Sequence, residues 1–178
     1  LEHEAAIKRW LYGQRDALVF CHWNANIDNA WFWRGDDGAL RCGLIDWGRV
    51  GQMNVASALW GSLSGAETTL WDDHLDELLA LFVHEFAAAG GGALDPAEIR
   101  LQMDLLVGLL GICWLLDTVP LILREIPELE TAKDRFDPRF QSNELARTQL
   151  HMLTVFMNLW QTHDLGNSLD RALKRIGG

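Results

Sequence analysis

Four residues, Gly35-Asp36-Asp37-Gly38, stand between two strand-like runs, AWFWR at Ala30–Arg34 and ALRCGLID at Ala39–Asp46. Glycine and aspartate supply the turn conformations that a tight reversal needs, so the segment reads as a β-hairpin. The short apolar run ALVFC at Ala17–Cys21 reads as a further, buried strand. Two polar loops then follow strand ends: HWNANIDN at His22–Asn29, and the segment that begins at Asp46. Strands that share one small sheet would place both loops on one edge.

Around this β element the pattern is helical. LEHEAAIKRWLYGQR opens the chain as a helix that stops at Gly13. NVASALWGSLSGA starts another, with Asn54 as its cap. ETTLWDDHLDELLALFVHEFAAAGGG sets Leu75, Leu78, Leu79, Phe82, Val83 and Phe86 at helical spacing and closes in glycines. DPAEIRLQMDLLVGLLGICWLLDTV begins with Asp95 as cap and Pro96 at the first helical position, and Pro120 is expected to end or kink it. Ile126–Phe140 is charged, contains Pro127 and Pro138, and reads as a long loop before two last helices, NELARTQLHMLTVFMNLWQTH and SLDRALKRI. The expected class is α+β and predominantly helical: a small β-hairpin element followed by a helical bundle, in one domain over residues 1–178.

A chain of 178 residues, 49 % apolar with only four prolines, is long enough to bury a sizeable core. Its formal charge of −10 disfavours nucleic acid and anionic membranes as partners. Three cysteines without C-x-x-C spacing suit a reducing, cytoplasmic setting, although Cys21 and Cys42 could lie on neighbouring strands. The apolar run Leu105–Leu116 is short of the roughly 20 residues that cross a bilayer and reads as a buried helix. His74, His84, His151 and His163 form no ligand pattern, so no zinc is expected.

The two loops carry the chemistry. One offers His22, Asn24 and Asn29; the other offers Asp46 in LIDWG. Carboxylate and amide oxygens are hard ligands suited to Mg²⁺, which binds through one or two protein oxygens plus nucleotide phosphates. H-x-N-x-x-x-x-N, a hairpin, and then I-D-W-G resembles the catalytic and metal loops of the aminoglycoside phosphotransferase family, within the protein-kinase-like fold. That family's usual form is H-G-D-x-x-x-x-N followed by I-D-W/F; His22, Asn29 and Asp46 match it. The resemblance implies a C-terminal lobe in which Asp46 holds metal on the phosphates of ATP. It implies that Asn29 serves the second Mg²⁺ position and that His22 is structural, bracing its loop against the D-W-G segment. The family's N-terminal lobe, with its glycine-rich strand pair and phosphate-binding lysine, has no counterpart before Val19.

This chain departs from the family where a proton acceptor is needed. Asn24 occupies the catalytic aspartate position, and an amide cannot do general-base work, which is worth roughly 10² to 10⁴ in rate. Asn24 could position a hydroxyl in a slower enzyme, Asp28 could partly substitute, or the protein could bind without turnover. Asn54 and Ala58 also stand where the family commonly has acids, which implies a differently braced loop. The implied activity is ATP-dependent phosphorylation of a small-molecule hydroxyl. The rivals are a catalytically impaired module that binds nucleotide or a partner, and a helical interaction domain with no nucleotide site. Nine tryptophans and the acidic stretch WDDHLDE at Trp71–Glu77 suit a cationic or sugar-like substrate, though core packing and a solvated helix face account for them more simply.

Overall fold

The computed structural model describes residues 2–177. The fold is α+β, about 66 % helical, with two small antiparallel two-stranded sheets. Helix α1 (Glu4–Gly13) leads through a short turn into β1 (Leu18–His22). Strands β2 (Ala30–Arg34) and β3 (Leu40–Leu44) form the hairpin, with Ala30 opposite Leu44 and Arg34 opposite Leu40. At its tip Gly38 adopts φ +76, a conformation that glycine accepts without strain.

The strands do not share one sheet. β1 pairs instead with β4 (Val50–Asn54), from Leu18 opposite Asn54 to His22 opposite Val50. β4 lies within a stretch read from sequence as loop. Its residues, VGQMN, have little strand character alone, and pairing with β1 some thirty residues upstream supplies what propensity does not. Cys21 and Cys42 consequently sit in different sheets, and all three cysteines are free.

Helix α2 (Val55–Leu63) follows β4 directly. Asn54 caps it, accepting from Ala56 N–H at 2.8 Å. The same side chain donates to Leu11 O and to Gln102 Oε1, tying α1, β4 and the central helix together in a buried position. Helix α3 (Thr68–Ala88) buries Trp71, Leu75 and Leu79, one turn apart on one face. Helix α4 (Pro96–Cys113) starts as its Asp95-Pro96 pair dictates, with Asp95 accepting from Ala97 N–H.

α4 is the centre of the body. Ile99, Met103 and Val107 join Trp60, Trp71, Leu75 and Phe156 in the main core. Leu101, Leu105 and Leu109 pack with Ile7 and Leu11 of α1 and with Ala172. Each such side chain, removed from water, contributes roughly 1.5–3 kcal/mol. The stretch Pro96–Glu125 is long and apolar enough by composition to cross a membrane. It is interrupted, however: α4 ends at Cys113, Trp114 has φ −135, and a 3-10 turn precedes α5 (Thr118–Glu125). Pro120 therefore sits in the first turn of α5, where its missing N–H costs nothing, instead of ending α4.

The segment expected as a loop contains a 3-10 turn at Leu129–Thr131 and the short helix α6 (Pro138–Ser142). Ile122, Ile126, Phe140 and Ala146 form a small third core there. Helices α7 (Glu144–Thr162) and α8 (Leu165–Ile176) close the bundle. One buried polar cluster joins α4 to the α7–α8 junction: Asp104 accepts from Ser168 Oγ at 2.8 Å and lies 3.3 Å from His163 Nδ1. Arg100 donates to His163 Nε2, so the imidazole hydrogen is on Nδ1 and points at Asp104.

Candidate functional site

The loop after β1 and the segment after β3 are joined by hydrogen bonds from both main chain and side chains. Ile45 N–H donates to Asn29 O at 2.9 Å, extending the hairpin ladder by one step to bring the two motifs side by side. His22 is buried between them. Its Nδ1 accepts Asn24 N–H at 3.2 Å, which leaves the imidazole hydrogen on Nε2, donated to Ile45 O at 2.9 Å. The ring meets Trp47 edge-on, with centroids 4.9 Å apart, and Trp47 Nε1 donates to Leu44 O. His22 thus fastens one loop to the other through both ring nitrogens.

Asn24 and Asn29 are tied together as well. Asn29 Nδ2 donates to Asn24 O at 2.8 Å, and Asn24 Oδ1 accepts from Asn26 Nδ2 at 3.0 Å. Asn26 in turn caps a 3-10 turn by accepting from Asp28 N–H. Sequence reasoning overlooked Asn26, although an Asn two residues before a turn-forming Asp is a recognisable Asx signal. The network leaves Asn29 Oδ1 without a protein partner among the described residues. The Asp28 and Asp46 side chains are exposed.

Asp46 has φ +55 and ψ +62, the single non-glycine left-handed residue among the described residues. Such a conformation costs about 1–3 kcal/mol and clusters at functional sites. It presents the carboxylate beside Gly48, where an added Cβ would lie 3.3 Å from Asp46 Oδ1. No group of three or more His, Cys, Asp or Glu converges on a point among the described residues. One carboxylate and one amide oxygen fit Mg²⁺ held mainly by phosphates and water, and do not fit a metal bound by protein alone.

The acid positions that the family would fill at Asn54 and Ala58 are structural here. Asn54 is the buried cap described above, and Ala58 lies within α2. The segment after Asp46 is held by the β1–β4 ladder instead.

A groove of about 630 Å³ opens beside the Asn24 loop. Trp23, Asn24 and Asp28 line it from the loop, and Trp60 from α2; Arg147 and Thr148 contribute from α7. Gly61 lets the loop approach α2, since a Cβ there would sit 1.8 Å from Trp23 O. Glu67 and Arg135 also line the groove and neutralise one another at 2.6 Å. The hydrogen bond from Arg135 holds the Glu67 carboxyl below its ordinary range. Arg135 also donates to His151 Nδ1, and His151 Nε2 donates to Ala66 O.

None of the acids of WDDHLDE lines this groove. Trp71 and Leu75 are core, Asp72 accepts from Asn158 and Thr162, and Asp76 pairs with Arg100. The hairpin tryptophans Trp31 and Trp33 are exposed, as are Phe20, Phe32 and Trp47, so the β elements present a broad apolar surface. Neither protein-family models, nor curated proteins, nor solved structures give a match to this chain.

Proposed function

We propose that the chain is the C-terminal lobe of a kinase-like phosphotransferase that transfers a phosphoryl group from ATP to a hydroxyl of a small molecule. The observation that supports this reading is the hydrogen-bonded unit of His22, Asn24, Asn29 and Ile45, because it ties the loop that carries Asn29 to the segment that leads into Asp46. Asp46 would hold Mg²⁺ on the phosphates and Asn29 Oδ1 would serve a second ion. When bound, Mg²⁺ supplies charge neutralisation on the transferring group. The groove beside Asn24 would receive the acceptor, whose hydroxyl then meets the Asn24–Asp28 loop. The exposed apolar face of the β elements is suited to a covering lobe that carries the remaining phosphate contacts.

A second reading, nucleotide binding without turnover, has its own support. The Asn24 position carries no carboxylate, and its Oδ1 is engaged by Asn26. Transfer from γ-labelled ATP to a panel of hydroxyl compounds separates the two, measured on a polypeptide that carries the covering lobe. Under the first reading Asn24→Asp raises transfer by roughly 10² or more, the general-base contribution, and Asp46→Asn abolishes it. Nucleotide bound with no transfer in wild type or Asn24→Asp supports the second. Absence of nucleotide binding in that polypeptide rejects both.

A further inference from the structure

The groove beside Asn24 has a charge balance that selects among acceptors. Four formally charged side chains line it: Asp28, Glu67, Arg135 and Arg147. Their charges sum to zero, in a chain whose formal charge is −10. Glu67 and Arg135 cancel by direct pairing, and both His151 ring nitrogens are engaged, by Arg135 and by Ala66 O. Asp28 and Arg147 remain. Arg147 spends one nitrogen, Nη1, on Gln141 O at 3.1 Å, and its Nε–Nη2 edge has no partner among the described residues. That edge is the two-donor fork that matches a carboxylate. Thr148, beside it on α7, offers a hydroxyl into the same groove.

Exposed aromatic side chains share the lining with polar residues such as Asn24, Asn26, Ser64 and Gln149. Trp114 is 40 % exposed and Phe136 65 % exposed, and both face the groove with Trp23. A polycation needs several unpaired acids at close range, because charges beyond about 8 Å are largely screened at physiological ionic strength. Here Asp28 is the one unpaired acid of the lining among the described residues.

We propose that this groove takes a small molecule that joins a carboxylate, held by Arg147, to an apolar or aromatic body lying against Trp114 and Phe136, and that it discriminates against polycationic amino sugars. The inference rests on the reading of the groove as the acceptor site, but it concerns binding alone. It differs from the cationic or sugar-like substrate that the tryptophans and the WDDHLDE stretch suit.

The test is titration of tryptophan fluorescence and heat with three probes, without nucleotide or magnesium: indole-3-propionate, its primary amide, and kanamycin. Wild type should bind the carboxylate about tenfold or more tighter than the amide, as a charge-assisted hydrogen-bond pair implies. Kanamycin should bind more weakly than either. Arg147→Gln, at an exposed position, should bring carboxylate and amide within about twofold by weakening the carboxylate alone. Tighter binding of kanamycin, no preference for the carboxylate in wild type, an undiminished preference in Arg147→Gln, or no binding of any probe at millimolar concentration would each overturn the proposal. Carboxylate selectivity without phosphoryl transfer in the full assay would instead reject the phosphotransferase reading and leave this one standing.

Discussion

Gly61→Ala should unseat the loop that carries Asn24. Gly61 is buried on α2, and the added Cβ would meet Trp23 O at 1.8 Å and Trp23 C at 3.0 Å. Both are main-chain atoms, so no side chain can rotate out of the way. Either α2 or the loop must move by more than an ångström. Overpacking of this kind costs about 1–3 kcal/mol. For a chain of this size each kcal/mol lowers Tm by about 2–4 °C, which sets an expected drop of about 2–12 °C. Gly108→Ala is the control. Gly108 lies within α4 with nothing within 4 Å of its added Cβ, so alanine there should hold or raise Tm through about 0.5–1 kcal/mol of helix propensity. Thermal unfolding by circular dichroism measures both. Indole signals in the near ultraviolet should change for Gly61→Ala, because Trp23 and Trp60 lie at the contact. A Gly61→Ala protein as stable as Gly108→Ala, with unchanged near-ultraviolet signal, would refute the claimed approach of loop and helix.

Three further outcomes follow from the same packing. Asn54→Ala removes the α2 cap and leaves Leu11 O and Gln102 without their buried donor, so urea denaturation should show a loss of roughly 2–4 kcal/mol. For Asp104, burial pushes the carboxyl pKa up, but hydrogen bonds from His163 and Ser168 and the charge of Arg100 outweigh it and hold it below the ordinary value. The stability this supplies is present above the unfolded-state value of about 3.9 and is lost as pH falls through the folded value, so acid unfolding should be steeper in wild type than in Asp104→Asn. His22→Phe keeps a ring against Trp47 but removes both hydrogen bonds, and amide exchange should speed up at Asn24 while the β1–β4 ladder stays protected.

The helices were legible where local chemistry decides them. Asn54 and Asp95 cap the helices they were expected to cap, and the glycine–aspartate turn makes the hairpin it signals. β4 was hidden because its pairing with β1 spans some thirty residues and owes little to its own composition. The break at Trp114 was likewise invisible, since the apolar run continues through it and Pro120 drew attention to the wrong boundary. Within the site, the expectation of one shared sheet put the two loops at one edge, whereas their strands lie in separate sheets. The bonds that join them, above all Ile45 N–H to Asn29 O, exist only in three dimensions. Arg147 was unreadable for the same reason: it reaches the groove from α7, more than a hundred residues beyond the Asn24 loop.

Asp46 and Asn29, as proposed, would form a divalent metal site that works with nucleotide phosphate. Manganese in place of magnesium tests it even where binding is weak, because a paramagnetic ion broadens the amide signals nearest to it. With Mn²⁺ and ATP added to the protein, broadening should centre on residues 28–29 and 45–48, and Asp46→Asn should remove most of it. Broadening centred elsewhere, or equally strong in Asp46→Asn, would contradict the account.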